Sequence, residues 1–313
     1  MTTAFTFPGQ GSQAVGMGKA LAESFSEARA VFAEVDEALG ENLSKIVFEG
    51  PAETLTLTEN AQPALMAVSL AAIRVLQSRG IDLRNKVAFV AGHSLGEYSA
   101  LAAAGSLTLA DAARLLRIRG RAMQAAVPVG AGAMAALIGL DFEAARAVAA
   151  QAAEGEVCGV ANDNGGGQIV ISGAKAAIDR AVDLAKAKGA RRAILLPVSA
   201  PFHCALMAPA AKVMAAALAE VALQPPAVPL VANVVAGPIS DPEEIRRRLV
   251  EQVTGMVRWR ESIAWLAGAG VGLFVEIGAG KVLSGLAKRI ADGVETLSVG
   301  TPDDIAAATA KLA

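Results

Sequence analysis

The chain has 313 residues, of which 54% are hydrophobic and 4% aromatic, and its formal net charge is -2. It is long enough for one large domain or two, with a core of Ala, Val, Leu and Ile, and it lacks the global basic field that attracts nucleic acid or membranes. Its two cysteines, Cys158 and Cys204, are too few for a disulfide framework. Gly, Pro or charge interrupts every long apolar stretch, so we expect a cytoplasmic protein without a membrane span.

Five short apolar runs predict the strands of a mostly parallel sheet. These runs are residues 4–7, 87–92, 228–233, 272–278 and 295–300. Several are continuously apolar rather than alternating, which is typical of strands covered on both faces. Helical stretches separate them, so the sequence predicts a layered α/β core.

The middle of the chain predicts a different unit. Its pattern is strand, helix, two strands around an Asn-Gly turn, helix and strand, over residues 132–140, 141–154, 157–173, 174–189 and 191–198. This β-α-β-β-α-β order is that of the ferredoxin-like fold. We therefore predict a ferredoxin-like subdomain over residues 128–197, inserted into a discontinuous core of residues 1–127 and 198–313.

The stretch at residues 88–105 predicts a nucleophile elbow. A short strand leads into Gly-His-Ser-Leu-Gly at residues 92–96, and a helix of small residues follows. Such a turn holds its serine at a helix N-terminus, where free backbone N–H groups can stabilise an oxyanion. We interpret Ser94 as a nucleophile, and the alternative is a Gly-rich structural turn.

A serine nucleophile needs a base, and the chain offers two histidines. His93 should point away from Ser94, because side chains alternate at the end of a strand. Elimination then selects His203, which must approach the serine oxygen to about 2.6–3.2 Å, and its alternative is a buried structural histidine. Cys204 has the same geometric problem beside His203, so we expect a packed thiol. No acidic residue stands out as a third member, and we predict a Ser–His dyad whose imidazole a backbone carbonyl can orient.

Residues 108–127 predict a helix with an arginine on its apolar face. At about 100° per residue, Arg119 lies among apolar positions, whereas Arg114, Arg117 and Arg121 lie on the opposite, charged side. A buried guanidinium needs an anion. That anion could be an internal partner such as Glu97, or a substrate carboxylate held bidentately. The pattern alone does not choose between them.

The loop after the first strand is rich in glycine. Its Gly9-x-Gly11-x-x-Ala14 is only a partial dinucleotide fingerprint, because no acidic residue ends a second strand about 20 positions later. The alternative is that the loop brings the backbone amide of Gln10 near Ser94. That amide and the amide of Leu95 could then be the two oxyanion donors.

Seven motifs together resemble the malonyl-CoA:acyl carrier protein transacylases of bacterial fatty-acid synthesis. In chain order they are FPGQGSQ, GHSLGEYSAL, RGRAMQ, GAMAALIG, SAPFHCALM, LVEQ and FVEIGAGKVL. They cover almost the full chain, and seven ordered motifs are far more specific than one elbow. The resemblance implies an α/β-hydrolase-like core with an inserted ferredoxin-like subdomain, which agrees with the pattern of elements.

The resemblance also implies roles for individual residues. Ser94 is the residue that carries the acyl group, and His203 is its general base. Arg119 binds the malonyl carboxylate. The backbone amides of Gln10 and Leu95 form the oxyanion hole.

Three further residues take their roles from the resemblance alone. Gln252 orients His203 through its main-chain carbonyl, and Asn162 is a candidate for lining the cleft. Phe202 precedes the histidine, as a Phe does in malonyl-selective acyltransferases of polyketide synthases. It implies selection of malonyl over methylmalonyl, and the alternative is a packing residue.

The implied reaction moves a malonyl group from malonyl-CoA, a coenzyme A thioester, to the phosphopantetheine thiol of acyl carrier protein by a ping-pong mechanism. It implies no cofactor and no metal, and we expect a monomer. Acyl carrier protein is acidic, so docking requires a local basic patch. The candidates for this patch are Arg191, Arg192, Lys281, Lys288 and Arg289.

Three other functions stay open at this point. A discrete malonyl acyltransferase that serves a polyketide synthase or a malonate decarboxylase would use the same residues with another carrier. A serine esterase would not need Arg119 on an apolar face. A non-catalytic binding protein would not need both Ser94 and His203.

Overall fold

The structure, a computed structural model, describes residues 1–313 and contains ten strands and fifteen α-helices. The strands are β1 (Thr2–Phe7), β2 (Phe89–Gly92), β3 (Gly132–Ile138), β4 (Cys158–Asp163), β5 (Gln168–Ala174), β6 (Arg192–Leu195), β7 (Leu230–Ala232), β8 (Gly237–Ile239), β9 (Val271–Ile277) and β10 (Glu295–Val299). The helices are α1 (Lys19–Ser24), α2 (Ser26–Leu39), α3 (Leu43–Glu49), α4 (Ala52–Thr56), α5 (Thr58–Ser78), α6 (Leu83–Lys86), α7 (Gly96–Ala103), α8 (Leu109–Ala125), α9 (Phe142–Ala153), α10 (Lys175–Ala187), α11 (Ala208–Ala219), α12 (Pro242–Gln252), α13 (Trp259–Gly268), α14 (Val282–Ile290) and α15 (Pro302–Leu312).

The larger sheet has six strands in the order β10-β9-β1-β2-β7-β8. All its pairings are parallel except the last, where β8 runs antiparallel to β7. The five predicted strands are confirmed. The sixth strand, β8, has no signal in the sequence: it is a three-residue edge strand with Pro238 at its centre, and an edge strand tolerates a residue without a backbone N–H.

Helices cover both faces of this sheet, which explains why its strands are continuously apolar. Adjacent residues of β2 enter different clusters: Val90 packs with the α5, α7 and α8 side, whereas Ala91 packs with α13 and α14. Phe5 and Ala4 of β1 divide in the same way. Because successive side chains of a strand point to opposite faces, a two-sided core leaves no polar alternation to read.

The smaller sheet is antiparallel, with strand order β4-β5-β3-β6. Helices α9 and α10 connect its strands and close a separate apolar cluster against it. This is the ferredoxin-like arrangement, so the predicted fold class is confirmed. The boundaries at residues 128 and 197 stay a prediction.

The two sheets meet beside the carboxyl ends of the larger sheet. Backbone bonds join Val257 to Ala161 and Asp163 of β4, at 2.8 and 3.0 Å, and Arg260 pairs with Asp163 at 2.7 Å. The segments that follow β1, β2 and β7 lie at this junction. Carboxyl ends of parallel strands are where open α/β sheets place their sites. No helix of the structure has the length and hydropathy of a membrane span.

Candidate active site

Ser94 lies in the turn between β2 and α7 with a left-handed backbone, φ 53°. The flanking glycines are a steric requirement. A Cβ on Gly92 would lie 1.9 Å from the backbone of Gly96, and a Cβ on Gly96 would lie 2.3 Å from the carbonyl of Phe7. The sharp turn aims the serine out of the sheet edge, as the predicted elbow requires.

Asn233, just after β7, fixes this turn by hydrogen bonds to its backbone. Its Oδ1 accepts the Ser94 N–H at 2.8 Å, and its Nδ2 donates to the carbonyl of Gly92 at 2.7 Å. The side chain is fully buried. Asn233 is absent from the residues predicted for the site, and its only signal in the sequence is a polar residue at the end of a buried strand.

His203 approaches the same serine from the segment before α11. Its Nε2 lies 2.7 Å from Ser94 Oγ, and its Nδ1 lies 2.8 Å from the Gln252 carbonyl and 3.1 Å from the Gly255 carbonyl. Because carbonyls only accept, Nδ1 carries the proton and Nε2 is free to accept from the serine hydroxyl. Burial, followed by the charge of Arg119, lowers the pKa of His203 to about 3. The imidazole is therefore neutral at pH 7, the form that a general base requires.

Arg119 is 1% exposed and contacts Ser94 directly. Its Nη2 donates to Ser94 Oγ at 3.0 Å and to Gln252 Oε1 at 2.9 Å, while Nη1 donates to Gln62 Oε1 at 2.7 Å. No carboxylate lies within ion-pair distance, and Nε has no partner. Burial lowers the pKa of this guanidinium, yet no acid pairs with it. The internal pair with Glu97 does not form, and the cation is available to an anion from outside.

Two backbone amides next to Ser94 are also without acceptors. Neither the Gln10 N–H nor the Leu95 N–H donates to any protein group. Both residues line the same cavity as Ser94. The loop of Gln10 is fixed by its side chain, whose Oε1 accepts from Thr58 Oγ1 at 2.8 Å. These positions suit the predicted oxyanion donors.

The neighbouring histidine and cysteine take other partners. His93 Nε2 lies 2.9 Å from Asn164 Oδ1, in the turn between β4 and β5, and its ring lies against Trp259. The Cys204 thiol donates to the Pro201 carbonyl at 3.1 Å, and burial raises its pKa. Neither side chain is placed to act as base or nucleophile at Ser94.

A cavity of about 670 Å³ opens over the serine between the two sheets. Ser94, Arg119 and His203 form its polar floor. Asn162 of β4 and Phe202 line its walls, and both side chains are largely buried. A site of this volume, mostly apolar with a few convergent polar groups, suits a small-molecule substrate.

The expectation for Arg117 is wrong. The helical period predicts that Arg117 lies on the charged side of its helix, but it is 5% exposed and pairs with Glu41 at 2.8 Å. Its Nη1 also donates to the Glu59 carbonyl at 2.8 Å. The reason is that the start of α5 packs against this side of α8. The apolar period of a helix identifies the face that packs on the core, but it does not show that a second element covers the polar face.

Comparison with known proteins agrees with this site. Residues 4–302 match the family described as the acyl transferase domain. The malonyl CoA-acyl carrier protein transacylase of Bacillus subtilis (strain 168) is 48% identical over 96% of this chain and 94% of its own length. The protein of the same name from Escherichia coli (strain K12) is 47% identical over 97% of this chain and 98% of its own.

Solved structures give the same result. The acyl-carrier-protein-S-malonyltransferase of Bartonella henselae is 62% identical, covers 100% of this chain and 99% of its own, and superimposes with a TM-score of 0.98. A malonyl-transacylase solved with a type II polyketide synthase acyl-carrier protein is 43% identical, covers 99% of this chain and 100% of its own, and has a TM-score of 0.96. The chain therefore belongs to the acyl transferase domain family and, within it, to the malonyl CoA-acyl carrier protein transacylases.

Proposed function

We propose that the chain transfers a malonyl group from malonyl-CoA to the phosphopantetheine thiol of an acyl carrier protein, through a malonyl ester on Ser94. One observation carries this proposal. The Ser94 hydroxyl contacts both His203 Nε2, at 2.7 Å, and Arg119 Nη2, at 3.0 Å. A base that activates this oxygen, with an unpaired buried cation beside it, suits an acyl group that ends in a carboxylate.

In the first half-reaction, Ser94 Oγ attacks the thioester carbonyl of malonyl-CoA while His203 Nε2 takes the hydroxyl proton. The amides of Gln10 and Leu95 donate to the developing oxyanion; loss of one such donor typically costs about 2.7–4 kcal/mol. The tetrahedral intermediate collapses, the C–S bond breaks, and the imidazolium gives its proton to the departing coenzyme A sulfur. The carbonyls of Gln252 and Gly255 hold the ring in place throughout.

In the second half-reaction, the phosphopantetheine thiol takes the place of coenzyme A. It gives its proton to His203 and attacks the malonyl ester, and Ser94 leaves with that proton. The two substrates, together with Ser94 and His203, supply every reacting group, so the proposed mechanism uses no resident cofactor or metal. Water must stay out of the cavity during this step, because attack by water would release malonate.

Arg119 and Phe202 account for the choice of acyl group. A malonyl carboxylate can pair with Arg119, whereas an acetyl group leaves the guanidinium without a counter-charge. Phe202, which is 8% exposed and lines the cavity, would crowd a methyl branch on the α-carbon. We infer that malonyl is preferred over both acetyl and methylmalonyl.

Acyl carrier protein is the proposed partner, as the names of the relatives support. The five basic candidates Arg191, Arg192, Lys281, Lys288 and Arg289 are all exposed and none forms an ion pair within the chain. Val282 and Leu283, at the start of α14, line the cavity. The start of α14 thus borders the cavity that a pantetheine arm would enter, and the same helix carries Lys288 and Arg289 in its last turn.

Intact mass after mixing with malonyl-CoA tests the mechanism. The wild type should gain one malonyl group, and Ser94→Ala should gain none. Arg119→Ala should lose the malonyl adduct but accept acetyl from acetyl-CoA. Release of coenzyme A without an adduct would indicate a hydrolase instead, and neither release nor adduct would indicate a binding protein.

A second candidate concerns only the carrier. The similarity to a transacylase solved with a polyketide synthase carrier, at 43% identity, favours a discrete acyltransferase that serves such a pathway. Malonyl transfer rates to a fatty-acid carrier and to a polyketide carrier, measured side by side, separate the two.

A further inference from the structure

Glu97 is a buried carboxyl group that the proposed mechanism does not use. It lies in the first turn of α7, three residues after the nucleophile, and is 1% exposed. No Lys or Arg lies within ion-pair distance of it. Burying a carboxyl group without a cation costs free energy. The hydrogen bonds of Glu97 indicate its role.

Its two oxygens accept from two different parts of the site. Oε1 accepts the backbone N–H of Asn233, the residue that holds the elbow, and Oε2 accepts from Gln252 Nε2. Both donors can only donate. Each of the two carboxyl oxygens must therefore accept a hydrogen bond, which an amide cannot do because one of its two positions is an NH₂ group.

The contact with Gln252 fixes the orientation of that side chain. Gln252 Nε2 also donates to the Ser94 carbonyl at 2.9 Å, so two acceptors face the amide nitrogen. Its Oε1 is thereby turned toward Arg119, from whose Nη2 it accepts at 2.9 Å. A rotated amide would place its oxygen against two acceptors and its nitrogen against the guanidinium.

We propose that Glu97 is a positioning residue for acyl-group selection, which acts through the Gln252 amide to aim the Arg119 guanidinium at the malonyl carboxylate beside Ser94. This inference rests on the proposed function, because aiming Arg119 matters only for an acyl group that ends in an anion. The Gln252 amide lies between Glu97 and Arg119, so the carboxyl group does not contact the guanidinium directly. A direct pair would occupy the edge of the guanidinium that the substrate needs.

Glu97→Gln tests the inference with little change in size. The new carbonyl oxygen can keep the Asn233 contact, and its NH₂ group then faces Gln252 Nε2, donor against donor. We expect kcat/KM for malonyl-CoA to fall at least about tenfold with a raised KM, and the malonyl-to-acetyl preference to fall by a similar factor. If this variant does not fold, Glu97→Asp keeps the acid, shortens its reach to Gln252 and should shift the preference in the same direction.

Glu276→Gln is the matched control. Glu276 is also a fully buried carboxyl, and it accepts from the backbone N–H groups of Leu283 and Ser284 without contact to Ser94, His203 or Arg119. Its substitution should leave the malonyl-to-acetyl preference unchanged. An equal preference shift in both variants would overturn the inference.

A double-mutant cycle with Gln252→Ala separates positioning from general destabilisation. That substitution removes the side chain but keeps the carbonyl that holds His203. In its background, Glu97→Gln should change the preference less than about twofold. A full effect there, or equal losses for malonyl and acetyl in the single variant, would overturn the inference. A wild type that forms no malonyl adduct would instead overturn the proposed function.

Discussion

Ser94 and His203 both have left-handed backbones, with φ of 53° and 59°. Such values are uncommon outside glycine and persist where the surrounding structure holds them. Around Ser94 that support is the side chain of Asn233 together with the bare glycines on either side. Around His203 it is the pair of carbonyls from Gln252 and Gly255. The short Oγ–Nε2 approach thus results from two strained turns held by separate segments of the chain.

The free energy of unfolding should decrease as pH falls through the ordinary titration range of histidine. The pKa of His203 is lowered from 6.5 to about 3, so between these values the unfolded chain binds a proton and the folded chain does not. Protonation then favours unfolding, and stability is lost on acidification. Burial also lowers the pKa of His93, which acts in the same direction, whereas burial raises the pKa of Glu97 to about 8, which acts in the opposite direction.

Denaturant unfolding of the wild type and of His203→Asn, from about pH 7 to about pH 5, isolates the His203 contribution, since the other groups are common to both. The wild type should lose more stability over this range than the variant. Parallel curves would contradict the lowered pKa.

The sequence could predict the close pair of Ser94 and His203 but not the residues that hold them in place. Ser94 follows from a local turn motif, and His203 follows from elimination between two histidines. Only the family resemblance points to Gln252, because its contact with His203 is made by a backbone carbonyl, which has no sequence signature. Gln62 carries no local pattern, and the only signal for Asn233 is a polar residue at the end of a buried strand. Their roles exist only once distant segments meet.

At the scale of elements, the crossing of α5 and α8 is what buries Arg119. Gly120 of α8 lies directly against the backbone of α5. A Cβ at this position would lie 2.4 Å from the Cα of Glu59 and 2.7 Å from its backbone nitrogen. The two helices can approach only because this position lacks a side chain. The same close approach buries Arg117 on the other side of α8.

Gly120→Ala should therefore destabilise the fold by about 1–3 kcal/mol, since the added methyl group forces the helices apart. Gly285→Ala is the control: it lies within α14 with no atom within 4 Å of its Cβ position. There the change should stabilise by up to about 1 kcal/mol, because alanine is the better helix former. Thermal unfolding of both variants checks the two signs; destabilisation of equal size would contradict the steric argument.

The sequence predicts individual helices and strands better than it predicts which elements pack against one another. Long amphipathic helices and apolar strands appear in the pattern, and the β-α-β-β-α-β order shows the smaller sheet. The edge strand β8 was missed because three residues with a central proline carry no periodicity. The prediction for Arg117 is wrong because α8 is packed on two sides and therefore has no single polar face.

At the scale of the whole molecule, the cavity lies between two sheets and opens beside α14. Lys288→Glu with Arg289→Glu should raise KM for acyl carrier protein by about tenfold at low salt, because an acidic partner would meet repulsion at this opening. Formation of malonyl-Ser94 from malonyl-CoA should be unaffected. Arg84→Glu is the control, since this exposed residue precedes β2 at the opposite end of the sheet. An equal rise in KM for the control would contradict docking beside α14.

The order of strands in the larger sheet also has a consequence for how the chain folds. β1 lies between β2 and β9, so a strand near one end of the chain finds a partner near the other. The imidazole of His203 likewise stays unheld until Gln252 has been made and folded. Such long-range pairings form slowly. Nascent or truncated chains that stop before α12 would thus carry Ser94 and His203 but lack the Gln252 and Gly255 carbonyls that orient the imidazole.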